Sequence, residues 1–166
     1  MKKNPPKTKK IVMVSGGFDP VHIGHVRLFN EAKKLGDELI VVINNDHWLR
    51  AKKGYVFMPE RERMEIVRAF RSVDKVVLSQ HKKNTTDMSV CAELLRIKPQ
   101  IFANGGDRDE KDAENPDSSL YGERKIHKKL GIVMVYNVGH GGKIRSSSAL
   151  VNEVAKGHRL ARPHRD

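Results

Sequence analysis

Short apolar runs rich in β-branched residues alternate with segments of helical periodicity along most of this chain. The runs are continuously apolar, as in Ile11–Val14 and Leu39–Ile43, which is typical of parallel strands covered on both faces. We predict five strands, at Ile11–Ser15, Leu39–Asn44, Lys75–Ser79, Gln100–Ala103 and Ile132–Tyr136. Because strands joined by crossover helices form a doubly wound sheet, the expected fold is a single α/β domain with a five-stranded parallel sheet.

Apolar spacing and helix-breaking residues predict five helices between and after these strands. The second should begin at Pro59, and its inward-facing residues should be Met64, Ile66, Val67 and Phe70. The others are expected from near Gly24 to Leu35, over Thr86–Ile97, between Pro116 and Leu130, and from Ser146 or Ser147 to about Lys156. In such a fold the ligand binds at the carboxyl ends of the strands.

The net charge of +12 lies mostly at the two ends of the chain. Residues 1–10 carry +5 and residues 156–166 carry +3, which leaves +4 for the remainder. We therefore expect a basic flexible tail at 1–10, one folded domain at 11–156 and a basic C-terminal tail at 157–166. A basic chain favours anionic partners, which are small phosphorylated molecules first and nucleic acid bound through the tails as the alternative.

The cysteine content and the N-terminal region bear on the compartment. A single cysteine, Cys91, excludes an internal disulfide and suits a reducing cytoplasm. The apolar run Ile11–Val14 is far shorter than a signal-peptide core or a membrane span. We expect a cytoplasmic protein that has no membrane partner.

The segment Ser15–His25 carries the strongest chemical signal. It joins the first strand to the first helix and contains three glycines, with His22 and His25 at the helix entrance. Glycines let the backbone approach a ligand closely, and the unpaired N–H groups of a helix start attract anions. Histidines three residues apart on a helix can face the same anion. The segment therefore predicts a phosphate site.

A metal site is the main alternative for the two histidines. No third ligand stands at a recognisable spacing, and no His-Glu-x-x-His sequence occurs. Neither a Walker loop nor a Gly-x-Gly-x-x-Gly sequence is present, which argues against P-loop kinases and dinucleotide enzymes. Asp19 is the candidate for placing Mg²⁺, although ordering of the loop is the preferred role for it.

The residues Gly17–His25, in the order Gly-Phe-Asp-Pro-Val-His-Ile-Gly-His, resemble the signature of the cytidylyltransferase-like nucleotidyltransferases. The likeness spans residues 11–155 and continues through Ala32–Asp37, Lys52–Tyr55, Arg61–Arg63 and Val73–Val77. The resemblance implies a Rossmann-like fold and transfer of a nucleoside monophosphate from a triphosphate to a small phosphorylated alcohol or sugar, releasing pyrophosphate. It also implies Mg²⁺ bound with the triphosphate, and a homodimer, because relatives commonly dimerise.

The resemblance also assigns roles to residues. His22 and His25 would hold the triphosphate and stabilise the transition state, with Lys53 as a third catalytic residue. The acceptor substrate would contact Lys52, Arg63 and Trp48. The nucleotide would contact Gly16, Gly17, Phe18, Gly24, Asn104, Gly106, Asp107, Arg145, Ser146, Ser147 and Ser148. The alternatives are a solvated surface charge for Arg63, a helix cap for Ser146 and a plain turn for Asn104–Asp107.

The chain departs from the family pattern where the base is read. Enzymes that form cytidine diphosphate derivatives of glycerol or choline usually carry an arginine where this chain has His140. Asn44–Asp46 and Asn104–Asp107 look more like segments of the heptose-phosphate adenylyltransferases. We expect CTP slightly ahead of ATP. The long charged insertion Arg108–Tyr121 should be a lid, a partner surface or a surface excursion.

Overall fold

Five parallel strands form the centre of the fold, as predicted. The computed structural model describes residues 8–106, 108–116, 118–139 and 146–160. The strands are β1 (Ile11–Gly16), β2 (Glu38–Ile43), β3 (Lys75–Leu78), β4 (Ile101–Gly105) and β5 (Val133–Val138). They pair in the order β3-β2-β1-β4-β5, all parallel.

Helices cover both faces of this sheet. They are α1 (Ile23–Lys33), α2 (Asp46–Lys53), α3 (Glu60–Arg68), α4 (Cys91–Ile97), α5 (Ser119–Leu130) and α6 (Ser147–Leu160), with a 3₁₀ turn at Asp112–Glu114. On one face Phe29 of α1 and Val67 of α3 pack against the sheet. On the other, Leu94 of α4 and Leu120 of α5 pack against Phe102 of β4. Apolar residues of both sheet faces are thereby buried, which explains the unbroken apolar runs.

The order of the strands places the ligand site. From β1 the chain builds β2 and β3 on one side, then crosses to build β4 and β5 on the other. The loops that follow β1 and β4 therefore leave the sheet in opposite directions and open a crevice at the carboxyl ends of these strands. The segment that carries His22 and His25 follows β1 and lies at this crevice.

Three helix predictions differ from the structure. The segment after β2 was expected to be a loop but forms α2, whose N-cap is Asn45 and whose C-cap Gly54 has a φ of 82°. The third predicted helix begins at Cys91 rather than Thr86, because the preceding residues form a loop held by side-chain contacts. The last helix continues through Gly157 to Leu160, since an interior glycine costs only about 0.5–1 kcal/mol.

Two surface predictions also change. Ile66 was expected in the core but is 39% exposed, whereas Val67 is fully buried. The described part of the 108–121 insertion is not a loose excursion, because Ala113 is buried in the core of the α4 and α5 face. Arg108 forms an ion pair at 2.6 Å with Asp112, the first residue of the 3₁₀ turn.

Within the described residues, no helix is both long and apolar enough to cross a bilayer.

Candidate active site

A cleft of about 350 Å³ opens at the carboxyl ends of the strands. Its walls come from the β1–α1 loop, the ends of β2, β4 and β5, helices α2 and α5, and the start of α6. The predicted site residues that line it are Gly16, Gly17, Phe18, His22, Gly24, His25, Trp48, Lys53, Asn104, Gly106, Ser146, Ser147 and Ser148. Asp107 and Arg145, also predicted at the nucleotide, lie outside the described residues.

The β1–α1 loop is shaped by close packing around Phe18. A Cβ at Gly16 would lie 2.8 Å from the Phe18 ring, so glycine is required there. Phe18 is 4% exposed and contacts the His25 ring edge-on, with 4.9 Å between centroids. Phe18 therefore supports the histidine from behind, in a loop whose backbone turns tightly at the end of the strand.

The rings of His22 and His25 stack, with 3.7 Å between their centroids. Nδ1 of His22 accepts the Gly24 N–H at 3.2 Å, and Nδ1 of His25 accepts the His22 N–H at 3.2 Å. An Nδ1 atom that accepts a hydrogen bond carries no proton, so each neutral ring is protonated on Nε2. The Nε2–H group of His25 is the donor that this side chain can offer to a ligand.

Burial sets the charge of His25. Desolvation, with the nearby charges of His22 and Lys53, lowers the pKa of His25 to about 3. His25 is therefore neutral at physiological pH and acts as a hydrogen-bond donor rather than a cation. Desolvation also lowers the pKa of the half-buried Lys53, partly offset by the Asp19 carboxylate.

Only one of the two predicted lysines reaches the cleft. Lys53 lines it and donates to the backbone carbonyl of Asp19 at 3.2 Å. Lys52 is exposed and does not line the cleft. Successive residues of a helix point about 100° apart, so the formation of α2 separates the two side chains.

Arg63 lies beneath the cleft rather than in it. The side chain is fully buried and donates to the carbonyls of Gly17 and Asn44 at 2.6 and 2.7 Å. It also donates to the Met58 carbonyl and pairs with the Asp46 carboxylate at 2.7 Å. The predicted acceptor contact is therefore corrected: this geometry makes Arg63 a residue that positions the β1–α1 loop and α2.

Asp19 is fully buried and orders a neighbouring loop. Its two carboxylate oxygens accept the N–H groups of Phe57 and Met58 at 2.8 and 2.6 Å. Both oxygens are thus used inside the protein, which is the preferred role predicted for this residue. Within the described residues no group of three or more His, Cys, Asp or Glu side chains could hold a metal ion.

The start of α6 meets the β1–α1 loop directly. Ser147 Oγ donates to the carbonyl of Pro20 at 2.9 Å, and Ser146 Oγ accepts the N–H of Ala149 at 3.1 Å. Ser146 therefore caps α6, which is the alternative role given to it in the sequence analysis. Ser147 joins the start of α6 to the β1–α1 loop. The positive end of the α6 dipole faces the same cleft as the two histidines.

Among the described residues, polar atoms of three residues at the cleft are buried and unpaired; Asn104 was predicted to contact the nucleotide, whereas Asn44 and Glu123 were not predicted as site residues. Asn44 Oδ1, Asn104 Nδ2 and Glu123 Oε2 are buried without a hydrogen-bond partner among the described residues. Asn44 could have been found, because it directly follows β2 at the edge where ligands bind. Nothing in the sequence distinguishes Glu123 from the other charged residues of α5.

Comparison with known proteins agrees with this geometry. The family model described as cytidylyltransferase-like matches residues 13–150. An FAD synthase of Pyrococcus horikoshii is 38% identical over 99 residues, or 59% of this chain and 64% of that protein. The bifunctional protein HldE of Cronobacter sakazakii is 34% identical over 135 residues, or 80% of this chain and 26% of that one. This chain thus spans less than two thirds of the length of each.

A solved structure is similar over its whole length. The lipopolysaccharide core biosynthesis protein from Thermoplasma volcanium superposes with a TM-score of 0.63 and 31% identity. The superposition covers 81% of this chain and 100% of that chain. The five-stranded parallel sheet with flanking helices is therefore shared with a protein of similar sequence.

Proposed function

This chain belongs to the cytidylyltransferase-like family of nucleotidyltransferases, and on that premise we propose that it transfers AMP from ATP to the phosphate of a small acceptor. One observation carries the proposal: the Ser147–Pro20 hydrogen bond joins the start of α6 to the loop of His22 and His25. Neutral imidazole N–H donors and a helix N-terminus thus border one cleft. That combination suits a polyphosphate.

The choice of ATP departs from the expectation that CTP is slightly favoured. The FAD synthases among the relatives form a dinucleotide that contains adenine, and they match this chain at 36–39% identity. The sequence segments Asn44–Asp46 and Asn104–Asp107 also look like those of adenylyltransferases. Together these observations favour the adenylyl alternative.

The proposed reaction needs no protein nucleophile. An acceptor phosphate oxygen is already anionic, attacks the α-phosphorus in line and displaces pyrophosphate as the bond to the bridging oxygen breaks. The Nε2–H groups of His22 and His25 would donate to phosphate oxygens as negative charge moves onto the leaving group. Lys53 would neutralise the α-phosphate, and Ser147 with the α6 start would hold the terminal phosphates. Mg²⁺ would enter on the triphosphate and supply further charge neutralisation.

Pyrophosphate release tests the proposal. Each of ATP, CTP, GTP and UTP is paired with FMN, heptose phosphates, glycerol 3-phosphate and phosphocholine in the presence of Mg²⁺. We expect release with ATP and one class of acceptor. Preference for CTP would restore the original expectation, and no release with any pair from a folded protein would reject nucleotidyl transfer to these acceptors.

Nucleic-acid binding through the basic ends stays a prediction, and so do cytoplasmic location and homodimerisation. A truncated chain of residues 8–160 keeps all of α6 and removes charge from both ends. If the ends are accessory, it should keep adenylyl transfer and lose salt-sensitive DNA binding. Equal DNA binding by the full and truncated chains would assign any such binding to residues 8–160.

A further inference from the structure

Glu123 is a buried carboxyl group that the proposed chemistry does not use. It lies on α5 with 3% of its surface exposed, and it lines the cleft. Its Oε1 accepts the N–H of Val90 at 2.9 Å, at the N-cap position of α4. Its Oε2 has no hydrogen-bond partner among the described residues. Leaving a buried polar atom unpaired costs about 1–3 kcal/mol, so the unpaired Oε2 of Glu123 requires an explanation.

The charged groups described around Glu123 do not donate a hydrogen bond to Oε2. Arg108 is the nearest favourable charge, but its Nη1 donates to Asp112 and to Ser118 Oγ. Asp87 and Asp112 act in the opposite direction. Burial is the largest influence and raises the pKa of Glu123 to about 7, so the neutral and charged forms coexist at neutral pH. In its charged form, the carboxyl group can therefore accept a hydrogen bond from a ligand at Oε2, because no strong counter-ion among the described residues occupies that oxygen.

The surroundings of Glu123 are mainly apolar. We call them the inner recess, which consists of Trp48, Met88, Val90, Leu120 and Glu123. The indole N–H of Trp48 already donates to the Met88 carbonyl at 3.1 Å. The inner recess has an apolar wall that includes an aromatic ring and, within the part of the chain that the structure describes, its one unpaired hydrogen-bonding side-chain atom is Glu123 Oε2. Such a recess suits a flat ring better than a chain of hydroxyl groups, because each hydroxyl group would need a partner.

The inner recess is continuous with the acceptor side of the cleft. Trp48 and Lys53 both belong to α2, which follows β2, on the opposite side of β1 from β4 and β5. Lys53, Trp48 and Glu123 line one cleft, so a molecule whose phosphate lies near Lys53 would extend past Trp48 toward Glu123, while the triphosphate is proposed to lie at the start of α6.

We propose that Glu123 selects the acceptor: the end of the acceptor remote from its phosphate is a flat, largely apolar ring that enters the inner recess and donates an N–H hydrogen bond to Glu123 Oε2. This inference rests on the proposed function for the identity of the acceptor side, and it makes Glu123 a specificity-determining residue. A site built to pair with a donor rejects analogues that lack it.

Binding of two flavin phosphates tests this directly, without turnover. The oxidised flavin ring of FMN has a single N–H, at N3, and 3-methyl-FMN lacks it. Flavin fluorescence quenching should show about 10- to 100-fold weaker binding of 3-methyl-FMN to the unmodified protein. The Glu123→Gln variant keeps an oxygen for the Val90 N–H but presents an NH₂ group to the ligand. It should bind FMN about 10- to 100-fold more weakly and hardly distinguish the two flavins.

Glu93→Gln is the matched control. Glu93 is 2% exposed on the neighbouring α4, and its Oε1 accepts the Gln80 N–H at 3.0 Å, but it does not line the cleft. This variant should lose a similarly buried carboxyl group without changing the preference between flavins. ATP affinity, measured by calorimetry, should be unchanged in both variants.

The outcomes separate this inference from the proposed function. Glu123-dependent discrimination between the flavins, with no adenylyl transfer to any acceptor, would keep the inference and reject the reaction. Transfer to sugar phosphates, with flavin binding absent or insensitive to Glu123, would keep the reaction and overturn the inference. A change in ATP affinity in Glu123→Gln, or equal effects of Glu93→Gln, would also overturn it. If Glu123→Gln does not fold, the comparison of the two flavins on the unmodified protein still decides.

Discussion

Arg63 of α3 and Asp46 of α2 form an ion pair at 2.7 Å in which the arginine side chain is fully buried. The same guanidinium donates to three backbone carbonyls, including that of Gly17 in the β1–α1 loop. One side chain thereby holds together the loop that carries the histidines and the helix that carries Lys53. Buried pairs of this kind are strongly destabilised when one partner is removed, because the other charge is left without compensation.

Replacement of Arg63 by lysine should therefore lower stability. A single ammonium group cannot satisfy the Asp46 carboxylate and three carbonyls in this planar arrangement. We expect the free energy of unfolding in urea to fall by about 1–3 kcal/mol for each buried carbonyl that loses its hydrogen bond. Arg61→Lys, on the exposed side of the same helix, is the control and should change little. Unchanged stability with a greatly raised KM for the acceptor would instead restore the predicted substrate contact.

Removal of the His25 imidazole should slow the reaction. His25→Ala should lower kcat about 10²–10³-fold, the range for losing one preorganised transition-state donor. Since His25 is neutral with a pKa of about 3, kcat should not fall through deprotonation of this residue between pH 6 and 8. His47→Ala, an exposed histidine on α2, is the control. Near-normal turnover of His25→Ala would remove this residue from the mechanism.

The two adjacent lysines of α2 should differ in importance. Lys53 lines the cleft, so Lys53→Met should lower kcat/KM by about 10²-fold through loss of charge stabilisation. Lys52 was predicted at the acceptor, yet its side chain is exposed away from the cleft, so Lys52→Met should have a far smaller effect. Steady-state kinetics of the two variants, with saturating ATP, makes the comparison. Equal losses would mean that α2 turns or bends when substrates bind.

Acid should destabilise the fold through His127. This residue of α5 is 3% exposed, and burial, only partly offset by a backbone contact with Ile132, lowers its pKa to about 4. The unfolded chain takes up the proton first, near pH 6.5, so stability is full above that value and is lost as the pH falls toward 4.

A His127→Leu variant isolates this contribution. Between pH 7.5 and pH 5 the unmodified protein should lose about 1–2 kcal/mol more than the variant in urea unfolding. Glu123 acts in the opposite sense, because its pKa is raised to about 7 and its contribution falls as the pH rises through that value. The difference between the two proteins cancels this common effect. Equal pH dependence would show that His127 titrates normally.

The sequence by itself determined the fold class, the five strands and the segment Ser15–His25 as the centre of the site. These features depend on local information: continuous apolar runs, helix-breaking residues and glycines beside histidines. The prediction that this segment binds phosphate was also local, because a strand followed by a glycine loop and a helix start offers N–H donors wherever it occurs. The resemblance to the family followed from the same residues.

Only the tertiary structure decided how individual side chains are used. Whether Lys52 or Lys53 faces the cleft depends on α2 being a helix, and the capping residues Asn45 and Gly54 were its only sequence signals. Arg63 looked like one of several surface arginines, but long-range contacts to Gly17, Asn44 and Asp46 bury it. Burial and hydrogen-bond partners come from residues distant in the chain, which is why periodicity and motifs could not assign them.

The inner recess is a second example of a feature that only the tertiary structure decided. Glu123 is an ordinary charged residue in the sequence of α5, and it becomes distinctive only because it is buried at the cleft, where it accepts the Val90 N–H at the start of α4. Its single unpaired oxygen arises from the packing of two helices that are separated by a strand in the chain. Local sequence therefore predicts the segment proposed to bind phosphates, whereas the groups proposed to choose the acceptor come together only once the helices have packed.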